Sequence, residues 1–364
     1  MFRSAFLFSL ACAVTAIAQP LTDSISSVDL QLEGVTVGSM RVIFFDGPGA
    51  TQTYPSSINN NGTITGFYAN AGSAPGFLRR LDGTFITFTA TGAENIYPSS
   101  IDSTGMVAGN YTSTSQYGFQ RMPNGNIVTF TVPGTFPNSS QNPVIINDAG
   151  VIAGPYFDGT KMHGFIRTSD GSFYTIGPPG STYTYASGLN NLGAVTGIYA
   201  DASYNEHGFV RQPDGTWLSF DVPGGNFGFF PPAFSINNSG EVTGSYFEGS
   251  MQGFTWQPGG PVLTFAVSGA AGTQPNAMNS IGTIVGSYQD TSYTYHGFLR
   301  TPSGTVYTFS VPGALGTYAL GINDGGMIVG SYVDAGYASH GLLIVPSQTG
   351  VDSRLSAPDH DHVP

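Results

Sequence analysis

The sequence has few charged residues and almost no cysteine. Only 9% of its 364 residues are charged, and 10 Lys and Arg stand against 22 Asp and Glu, for a formal net charge of −12. Phosphate binding needs clustered cations, so this balance predicts no nucleic-acid partner. The one cysteine, Cys12, lies in an N-terminal leader. Without the leader the chain has no disulfide, no thiolate nucleophile and no Cys-ligated zinc.

The leader is residues 1–18, "MFRSAFLFSLACAVTAIA". It has one early cation at Arg3, then an apolar run, then small residues that fit a cleavage site, which is typical of a secretory signal. Later apolar runs are too short for a membrane span. We therefore expect a secreted, extracellular protein without a membrane span, with the cell surface as a possible location.

The sequence is rich in glycine, with 51 residues. It also contains an internal repeat of about 44 residues, a period typical of propeller blades. Three markers recur seven times in a fixed order. The first is Ile-Asn or a close variant, followed by Gly, and its polar residues are Asn59, Asp102, Asn147, Asn190, Asn237, Asn279 and Asn323. The second is Gly-Phe, at Gly76, Gly118, Gly164, Gly208, Gly253 and Gly297, ending as Gly341-Leu342. The third resembles "TFxVPGA" and recurs at Phe44, Ile86, Val128, Tyr174, Leu218, Leu263 and Tyr307.

Each repeat predicts four short strands. In the repeat near 276–313, "NAMN", "TIVGSY", "GFLRT" and "VYTFSVPG" are rich in β-forming residues and bounded by Gly, Pro, Asn and Ser. Asp-Gly or Asn-Gly pairs stand between the third and fourth strands, at Gly83, Gly125, Gly171 and Gly215. Such pairs tolerate the positive φ of a tight hairpin, so these two strands should be antiparallel neighbours.

The order of the markers predicts a closed ring. After a lead segment, 19–40, the chain begins with a fourth-strand marker at 41–50 and ends after a third strand at "HGLLIVP". If strand 41–47 pairs with strand 341–345, it completes the last repeat and removes exposed sheet edges. The prediction is an all-β, seven-bladed β-propeller of four-stranded repeats over residues 41–346, followed by a flexible tail, 347–364.

The motif "GIND-GG-IVGSY-D-----HGLL" at 321–343, with its counterparts over roughly 41–346, resembles the bacterial extracellular HAF repeat family. This chain reads His-Gly-Phe where the family name suggests His-Ala-Phe. The resemblance implies an extracellular repeat architecture and no established activity.

Four repeats pair an acid with a His across the turn between the second and third strands. The pairs are Asp158/His163, Asp201/His207, Asp290/His296 and Asp334/His340. One interpretation is structural: the carboxylate accepts a hydrogen bond from the imidazole and fixes the turn. The other is that the pairs form one loop face that binds a ligand. Four equivalent pairs argue against catalysis, which needs one asymmetric constellation.

Three other repeated features have structural interpretations. An Arg two residues after the Phe of Gly-Phe predicts a turn-stabilising contact, with a basic ring for an anion as the alternative; these are Arg79, Arg121, Arg167, Arg211 and Arg300. A Gly in each second strand, such as Gly66, predicts close approach of a neighbouring blade's aromatic ring. First-strand segments such as "YPSSI" should line a central channel with few acid–base groups.

The Tyr-rich segments "TYTYA" at 182–186 and "SYTYH" at 292–296 predict exposed aromatic loops suited to sugar stacking or protein contact. The candidate ligand-binding residues are therefore the four Asp–His pairs with Glu206, Tyr183, Tyr185, Tyr293 and Tyr295. We expect no catalytic residue, no metal and no cofactor.

The predicted function is a non-enzymatic binding or scaffold propeller, a monomer that recognises a glycan or a protein through one loop face. One alternative is a secreted glycoside hydrolase or lyase, which would need a unique carboxylate cluster. Glu206, beside His207, is its first candidate. The other alternative is a structural envelope protein without a small ligand.

Overall fold

The computed structural model describes residues 24–32, 35–136, 144–227 and 234–346. Within these residues the regular secondary structure consists of β-strands. No helix among them is long and apolar enough to cross a membrane. The predicted signal, 1–18, and the predicted tail, 347–364, lie outside the described residues.

The strands follow the repeats. The N-terminal hairpin is β1 (Ser24–Leu32) and β2 (Val35–Phe45). Repeat 1 is β3 (Gln52–Ile58), β4 (Ile64–Ala69), β5 (Gly76–Arg79) and β6 (Phe85–Phe88). Repeat 2 is β7 (Asn95–Ile101), β8 (Val107–Thr112), β9 (Gln116–Arg121) and β10 (Ile127–Phe130). Repeat 3 is β11 (Ile145–Ile146), β12 (Ile152–Phe157), β13 (Met162–Arg167) and β14 (Phe173–Ile176).

The second half of the chain continues in the same way. Repeat 4 is β15 (Tyr183–Leu189), β16 (Val195–Ala200), β17 (Glu206–Arg211) and β18 (Trp217–Phe220). Repeat 5 is β19 (Ser235–Ile236), β20 (Val242–Glu248), β21 (Ser250–Trp256) and β22 (Val262–Phe265). Repeat 6 is β23 (Gly272–Met278), β24 (Ile284–Gln289), β25 (Tyr295–Arg300) and β26 (Val306–Phe309). Repeat 7 is β27 (Gly316–Ile322), β28 (Ile328–Val333) and β29 (Ser339–Val345), with β2 as its fourth strand.

Repeats 1 to 5 each form a separate antiparallel four-stranded sheet, in chain order from the first strand to the fourth. The four predicted hairpin glycines between third and fourth strands have φ of 87–92°. That part of the prediction is confirmed. Repeats 6 and 7 differ, because the N-terminal hairpin joins them into one nine-stranded sheet.

The predicted pairing of strand 41–47 with strand 341–345 is present. β2 pairs antiparallel with β29, with Arg41 opposite Val345 and Phe45 opposite Gly341. A Cβ at Gly341 would overlap the Phe45 ring. In repeat 6, Gly297 faces Phe309 in the same way, so β2 takes the place that a fourth strand has elsewhere. Its Phe45 side chain also packs with Ile58, Ile64 and Phe77 of repeat 1.

The described part of the predicted lead segment, 19–40, contains β-strands. β2 begins at Val35, before the expected start at 41, and β1 pairs with it along its length. At Gln31, β1 also pairs with Thr308 of β26. Val28 and Leu30 are buried with the cores of repeats 6 and 7, because alternate side chains of β1 point inward.

The first marker holds neighbouring repeats together. The side-chain amide of Asn59 donates to the Asp102 carbonyl over 2.9 Å, and that of Asn323 donates to the Asn59 carbonyl over 3.0 Å. The second bond joins the last repeat to the first. Asn147, Asn190 and Asn279 donate to the next repeat in the same way. The Asn oxygen meanwhile accepts backbone N–H groups of its own turn, as Asn59 does from Asn61 and Thr63.

The second marker fills the space between repeats with a buried ring. The Phe side chains of Gly-Phe are at most 1% exposed; they are Phe77, Phe119, Phe165, Phe209, Phe254 and Phe298. Each such side chain contributes roughly 1.5–3 kcal/mol by burial. The aromatic ring predicted beside the second-strand glycines is present at Gly66, but it belongs to the same repeat. A Cβ at Gly66 would meet the Tyr54 carbonyl and the Phe77 ring, both of its own repeat rather than a neighbouring one.

The repeated Arg side chains are structural, as in the first interpretation. Arg79 lies over the Phe45 ring at 4.8 Å, and its guanidinium donates to the Arg80 carbonyl over 3.1 Å. Arg121, Arg167 and Arg300 lie over the corresponding Phe of the preceding repeat. Because Arg79, Arg121 and Arg167 are at most 8% exposed, they do not present a basic ring to a ligand.

Candidate functional site

The candidate site is the end of the repeats where the turns between second and third strands lie, together with the connections from each fourth strand to the next first strand. We call it the 2–3 face and define it by the turns 158–161, 201–205, 290–294 and 334–338. Antiparallel pairing of successive strands places these turns at one end and the first-to-second turns at the other. All four predicted Asp–His pairs lie on the 2–3 face.

Each Asp of a pair organises its own turn. In repeat 6, Asp290 Oδ1 accepts the backbone N–H groups of Ser292 and Thr294 over 2.8 and 2.9 Å. In repeat 7, Asp334 Oδ1 accepts those of Gly336 and Ala338, both over 2.8 Å. The His296 side chain and these N–H groups hold the Asp290 pKa below its usual range. These carboxylates are therefore ionised at neutral pH and already hydrogen-bonded.

Each His is held between its Asp and a second-strand Tyr. His163 Nε2 lies 2.7 Å from Asp158 Oδ2, and His296 Nε2 lies 3.0 Å from Asp290 Oδ2. In repeat 4 the corresponding separation, from His207 to Asp201, is 3.6 Å. The four imidazoles pack on Tyr rings directly across the strand pair, with centroids 5.0–5.2 Å apart; these are Tyr156, Tyr199, Tyr288 and Tyr332. Three of the pairs are thus hydrogen-bonded as the structural interpretation requires, and the pair of repeat 4 is further apart.

The other imidazole nitrogen distinguishes the repeats. His340 Nδ1 lies 2.8 Å from Asp46 Oδ2, and His207 Nδ1 lies 2.6 Å from Asp221 Oδ1. Burial opposes protonation of His340, but Asp46 and Asp334 outweigh it and raise the His340 pKa. In repeat 6 the partner is a hydroxyl: His296 Nδ1 lies 2.7 Å from Ser310 Oγ. Sequence reasoning missed these partners, although all three come directly after a fourth strand, at equivalent positions in the third marker.

Three of the four predicted aromatic residues do not lie in loops. Tyr183 and Tyr185 belong to the first strand of repeat 4, are half-buried, and pack against the core of repeats 4 and 5. Burial raises the pKa of Tyr185 to about 12. Burial and a hydrogen bond from its hydroxyl to Glu206 also raise the pKa of Tyr183. Tyr295 lies in β25 against Tyr318, with ring centroids 5.2 Å apart. The loop prediction was wrong because Tyr is also a strong strand former.

Tyr293 is exposed as predicted, and two residues that the sequence reading missed match it. Tyr204, Tyr293 and Tyr337 are 76%, 76% and 79% exposed. Their φ angles are 64°, 65° and 64°, in the left-handed region that bulky residues rarely adopt. Each stands three residues after the Asp of its pair and donates its N–H to that Asp carbonyl over 3.0 Å. The spacing Asp-x-x-Tyr-x-x-His is the signal that marks all three.

A cavity of about 560 Å³ lies between the N-terminal hairpin and repeat 6. Its wall contains Ser27, Asp29 and Gln31 of β1, and both His296 and Ser310 of repeat 6. A smaller cavity, of about 170 Å³, lies at the opposite end among the Asn-rich first-to-second turns. Among the described residues, no group of three or more His, Cys, Asp or Glu side chains has the arrangement of a metal site.

No protein-family model matches the sequence, and no curated protein matches it. Solved structures do resemble its fold. One is a catalytically inactive variant of virginiamycin B lyase from Staphylococcus aureus with quinupristin, with a TM-score of 0.57 and 16% identity over 84% of this chain and 99% of that one. Another is the β-propeller domain of the Trilobed protease from Pyrococcus furiosus, with a TM-score of 0.54 and 9% identity over 81% and 94%. At these identities the likeness establishes the fold alone: this chain has a β-propeller fold.

Proposed function

We propose that this chain is a secreted propeller that binds a polysaccharide through the 2–3 face. The observation that carries the proposal is the set of three exposed Tyr side chains in left-handed turns, Tyr204, Tyr293 and Tyr337. A bulky residue in this backbone region is unfavourable, and such outliers cluster at binding and active sites.

The fold itself does not require Tyr at these turns. In repeats 1, 3 and 5 the turn has positive φ at a glycine: Gly72, Gly159 and Gly249. Glycine adopts this conformation without steric cost. Three repeats therefore carry an unfavourable residue where glycine would fold more easily, which supports a role for the rings themselves.

The separate placement of the rings favours a repetitive ligand. They lie in repeats 4, 6 and 7, one in each turn, among polar residues such as Asn205, Ser292 and Thr294. A protein partner would call for one continuous buried patch with an apolar centre. A polysaccharide offers the same sugar face many times, and several weak sites on one rigid frame then act together. In this proposal the Asp–His pairs position the turns, and the Tyr rings contact the sugar.

The finer architecture is part of the same proposal. We infer a seven-bladed ring in which β2 completes repeat 7, and a relationship to HAF-type extracellular repeats. The pairing of β2 with β29 and the amide bond from Asn323 to the Asn59 carbonyl support the ring. It would present three tyrosine-bearing turns on a single rigid surface.

Cleavage of polysaccharide is less well supported. Glu206, its first candidate, already accepts a hydrogen bond from Tyr183. The turn carboxylates accept hydrogen bonds from backbone N–H groups of their own turns; they are Asp158, Asp201, Asp290 and Asp334. A glycosidase needs one carboxylic acid that gives up its proton and one free carboxylate.

The test is retention on immobilised polysaccharides and on a glycan array. Changing Tyr204, Tyr293 and Tyr337 together to Gly removes the rings and keeps the left-handed backbone. We expect each single change to weaken binding about 10-fold and the triple change to weaken it by a factor of 10² to 10⁴, because linked sites reinforce one another. Tyr174→Ser is the matched control, since Tyr174 is 57% exposed on a fourth strand away from these turns. Equal binding by the triple variant and the native protein would contradict the proposal.

A further inference from the structure

Repeat 6 differs from the other repeats with an Asp–His pair at one side chain. The residue that faces the imidazole comes directly after the fourth strand; it is Asp221 in repeat 4 and Asp46 in repeat 7, whereas it is Ser310 in repeat 6. Repeat 3 has Gly177 at this place. In repeat 7 the two carboxylates raise the pKa of His340 and favour its charged form. An imidazole between one carboxylate and one hydroxyl can instead accept a proton from the hydroxyl.

The geometry in repeat 6 is that of a nucleophile, a base and an orienting group. Ser310 Oγ lies 2.7 Å from His296 Nδ1, and His296 Nε2 lies 3.0 Å from Asp290 Oδ2. Two backbone N–H groups hold the Asp290 carboxylate, and the Tyr288 ring lies 5.0 Å from the imidazole. The Tyr288 ring and the Asp290 carboxylate hold the imidazole in place. Because the ionised carboxylate can only accept, Nε2 carries the proton and Nδ1 is left to accept from Ser310.

Ser310 and His296 border a space large enough for a small substrate, and Asp290 lies behind the imidazole, outside its wall. The cavity of about 560 Å³ is lined by His296 and Ser310 on one side and by Ser27, Asp29 and Gln31 on the other. This volume falls in the range of small-molecule sites. Among the described residues of its wall, Asp29 is the one carboxylate, and neither Lys nor Arg is present. The charge therefore disfavours anionic substrates and suits neutral or cationic ones.

We propose that Ser310 is the nucleophile of an acyl-transfer site, with His296 as its base and Asp290 as the residue that orients the base, acting on small neutral or cationic esters. The Ser310 oxygen attacks the ester carbonyl carbon while its proton passes to His296 Nδ1. The carbon–oxygen bond to the alcohol breaks, and the alcohol leaves with that proton. Water then adds to the acyl-serine through the same base, releasing the carboxylic acid and restoring Ser310.

This proposal does not rest on polysaccharide binding by the tyrosines. A purely structural Ser310 would also hydrogen-bond to His296, as a replacement for the Asp of repeats 4 and 7. The two roles differ in reactivity, because only an activated serine reacts with acylating and phosphonylating reagents faster than an ordinary one.

The experiment is covalent labelling of the intact protein with a fluorophosphonate, in which the serine oxygen displaces fluoride from phosphorus, followed by peptide mapping. We expect the adduct at Ser310, and a burst of p-nitrophenol when p-nitrophenyl acetate is the substrate. Removing the base by His296→Gln should slow both reactions by about 10²–10⁴-fold.

Ser310→Asp is the matched variant. It recreates the arrangement around His207 and His340, so the fold should be retained while labelling at this position and the burst are lost. Ser303, an exposed serine of the same repeat, is the internal reference for ordinary reactivity. Labelling of Ser310 no faster than Ser303, or labelling unaffected by His296→Gln, would overturn the proposal.

Discussion

The two ends of each repeat behave differently. At the first-to-second turns the same polar residue recurs in nearly every repeat, and its side chain binds the next repeat, as Asn323 binds the Asn59 carbonyl. At the second-to-third turns the repeats diverge, with a Tyr at 204, 293 and 337 and a Gly at 72, 159 and 249. Uniform contacts are what a ring needs to close. Variation from repeat to repeat is what an asymmetric ligand surface needs.

This contrast separates stability from function along the chain. Changes at the first-to-second turns, or at the joint between β2 and β29, should change stability, and those that break a contact there should lower it. Changes at the turns of the 2–3 face should alter binding or reactivity and leave stability almost unchanged. Four substitutions test the contrast.

The largest effect is expected at the joint. Gly341→Ala places a methyl group against the Phe45 ring, so β2 must shift or detach from β29. We expect a loss of about 3 kcal/mol in the free energy of unfolding, as for overpacking in a core. Denaturant unfolding measures it, with Gly272→Ala as control, because a methyl group there would lie 3.5 Å from Met251. Equal stability of the two variants would show that the joint contributes little.

The next effect is at the amide that links the last repeat to the first. Asn323→Ala removes the donor to the Asn59 carbonyl and the acceptor for the Met327 N–H, at a residue that is 3% exposed. We expect a loss of about 2 kcal/mol, because buried polar groups are left without partners. Asn205→Ala removes an exposed amide from the 2–3 face and should cost less than about 0.5 kcal/mol. Similar losses at both positions would contradict the contrast.

The third substitution should stabilise the protein. Asp102 stands where other repeats have Asn, and among the described residues its buried Oδ2 has no hydrogen-bond partner. Burial raises the Asp102 pKa above its usual value of 3.8. The native state therefore favours the protonated form, whose stability contribution is present below pH 3.8 and is lost as the pH rises through the folded-state pKa.

Asp102→Asn supplies the missing donor at every pH. We expect a gain of about 1 kcal/mol at neutral pH, which shrinks as the pH falls below the folded-state pKa of Asp102. Unfolding of both proteins across the pH range, compared as a difference, checks it. A gain that is independent of pH would exclude titration of Asp102 as its cause.

The smallest effect on stability is expected at an exposed turn. Tyr337→Gly removes an unfavourable left-handed residue that makes no buried contact, so stability should stay within about 0.5 kcal/mol or rise slightly. Thermal unfolding measures this. A loss of several degrees in Tm would mean that the ring supports the fold rather than a ligand.

Much of the fold follows from the sequence because the repeats give the same information seven times. The hairpin at Gly83, the pairing of strand 41–47 with 341–345 and the contact between Asp290 and His296 all come from repeated spacing. β1 was missed, although Val28 and Leu30 alternate with polar residues in the way of a half-buried strand. One occurrence outside the repeat carries too little pattern to decide.

The candidate site is less predictable from sequence. The Ser310–His296 contact joins the neighbouring strands β25 and β26 at one end. It depends on the register between these strands, which local sequence does not specify. The exposure of Tyr204 and the partial burial of Tyr185 depend on the turn and the strand in which each lies, although both follow similar polar residues. Their roles emerge only when the turns are compared across repeats in three dimensions.

The most direct test of the central claim is a disulfide across the joint between β2 and β29. Arg41 and Val345 lie opposite each other on β2 and β29, at the separation of paired strand residues. With Cys12 replaced by Ser, oxidation of the Arg41→Cys, Val345→Cys protein should link peptides from both ends in high yield. Ser39→Cys with Val345→Cys should link poorly, because Arg41, two residues further along β2, is the residue opposite Val345. Equal or absent cross-linking in the two proteins would contradict a ring closed by β2.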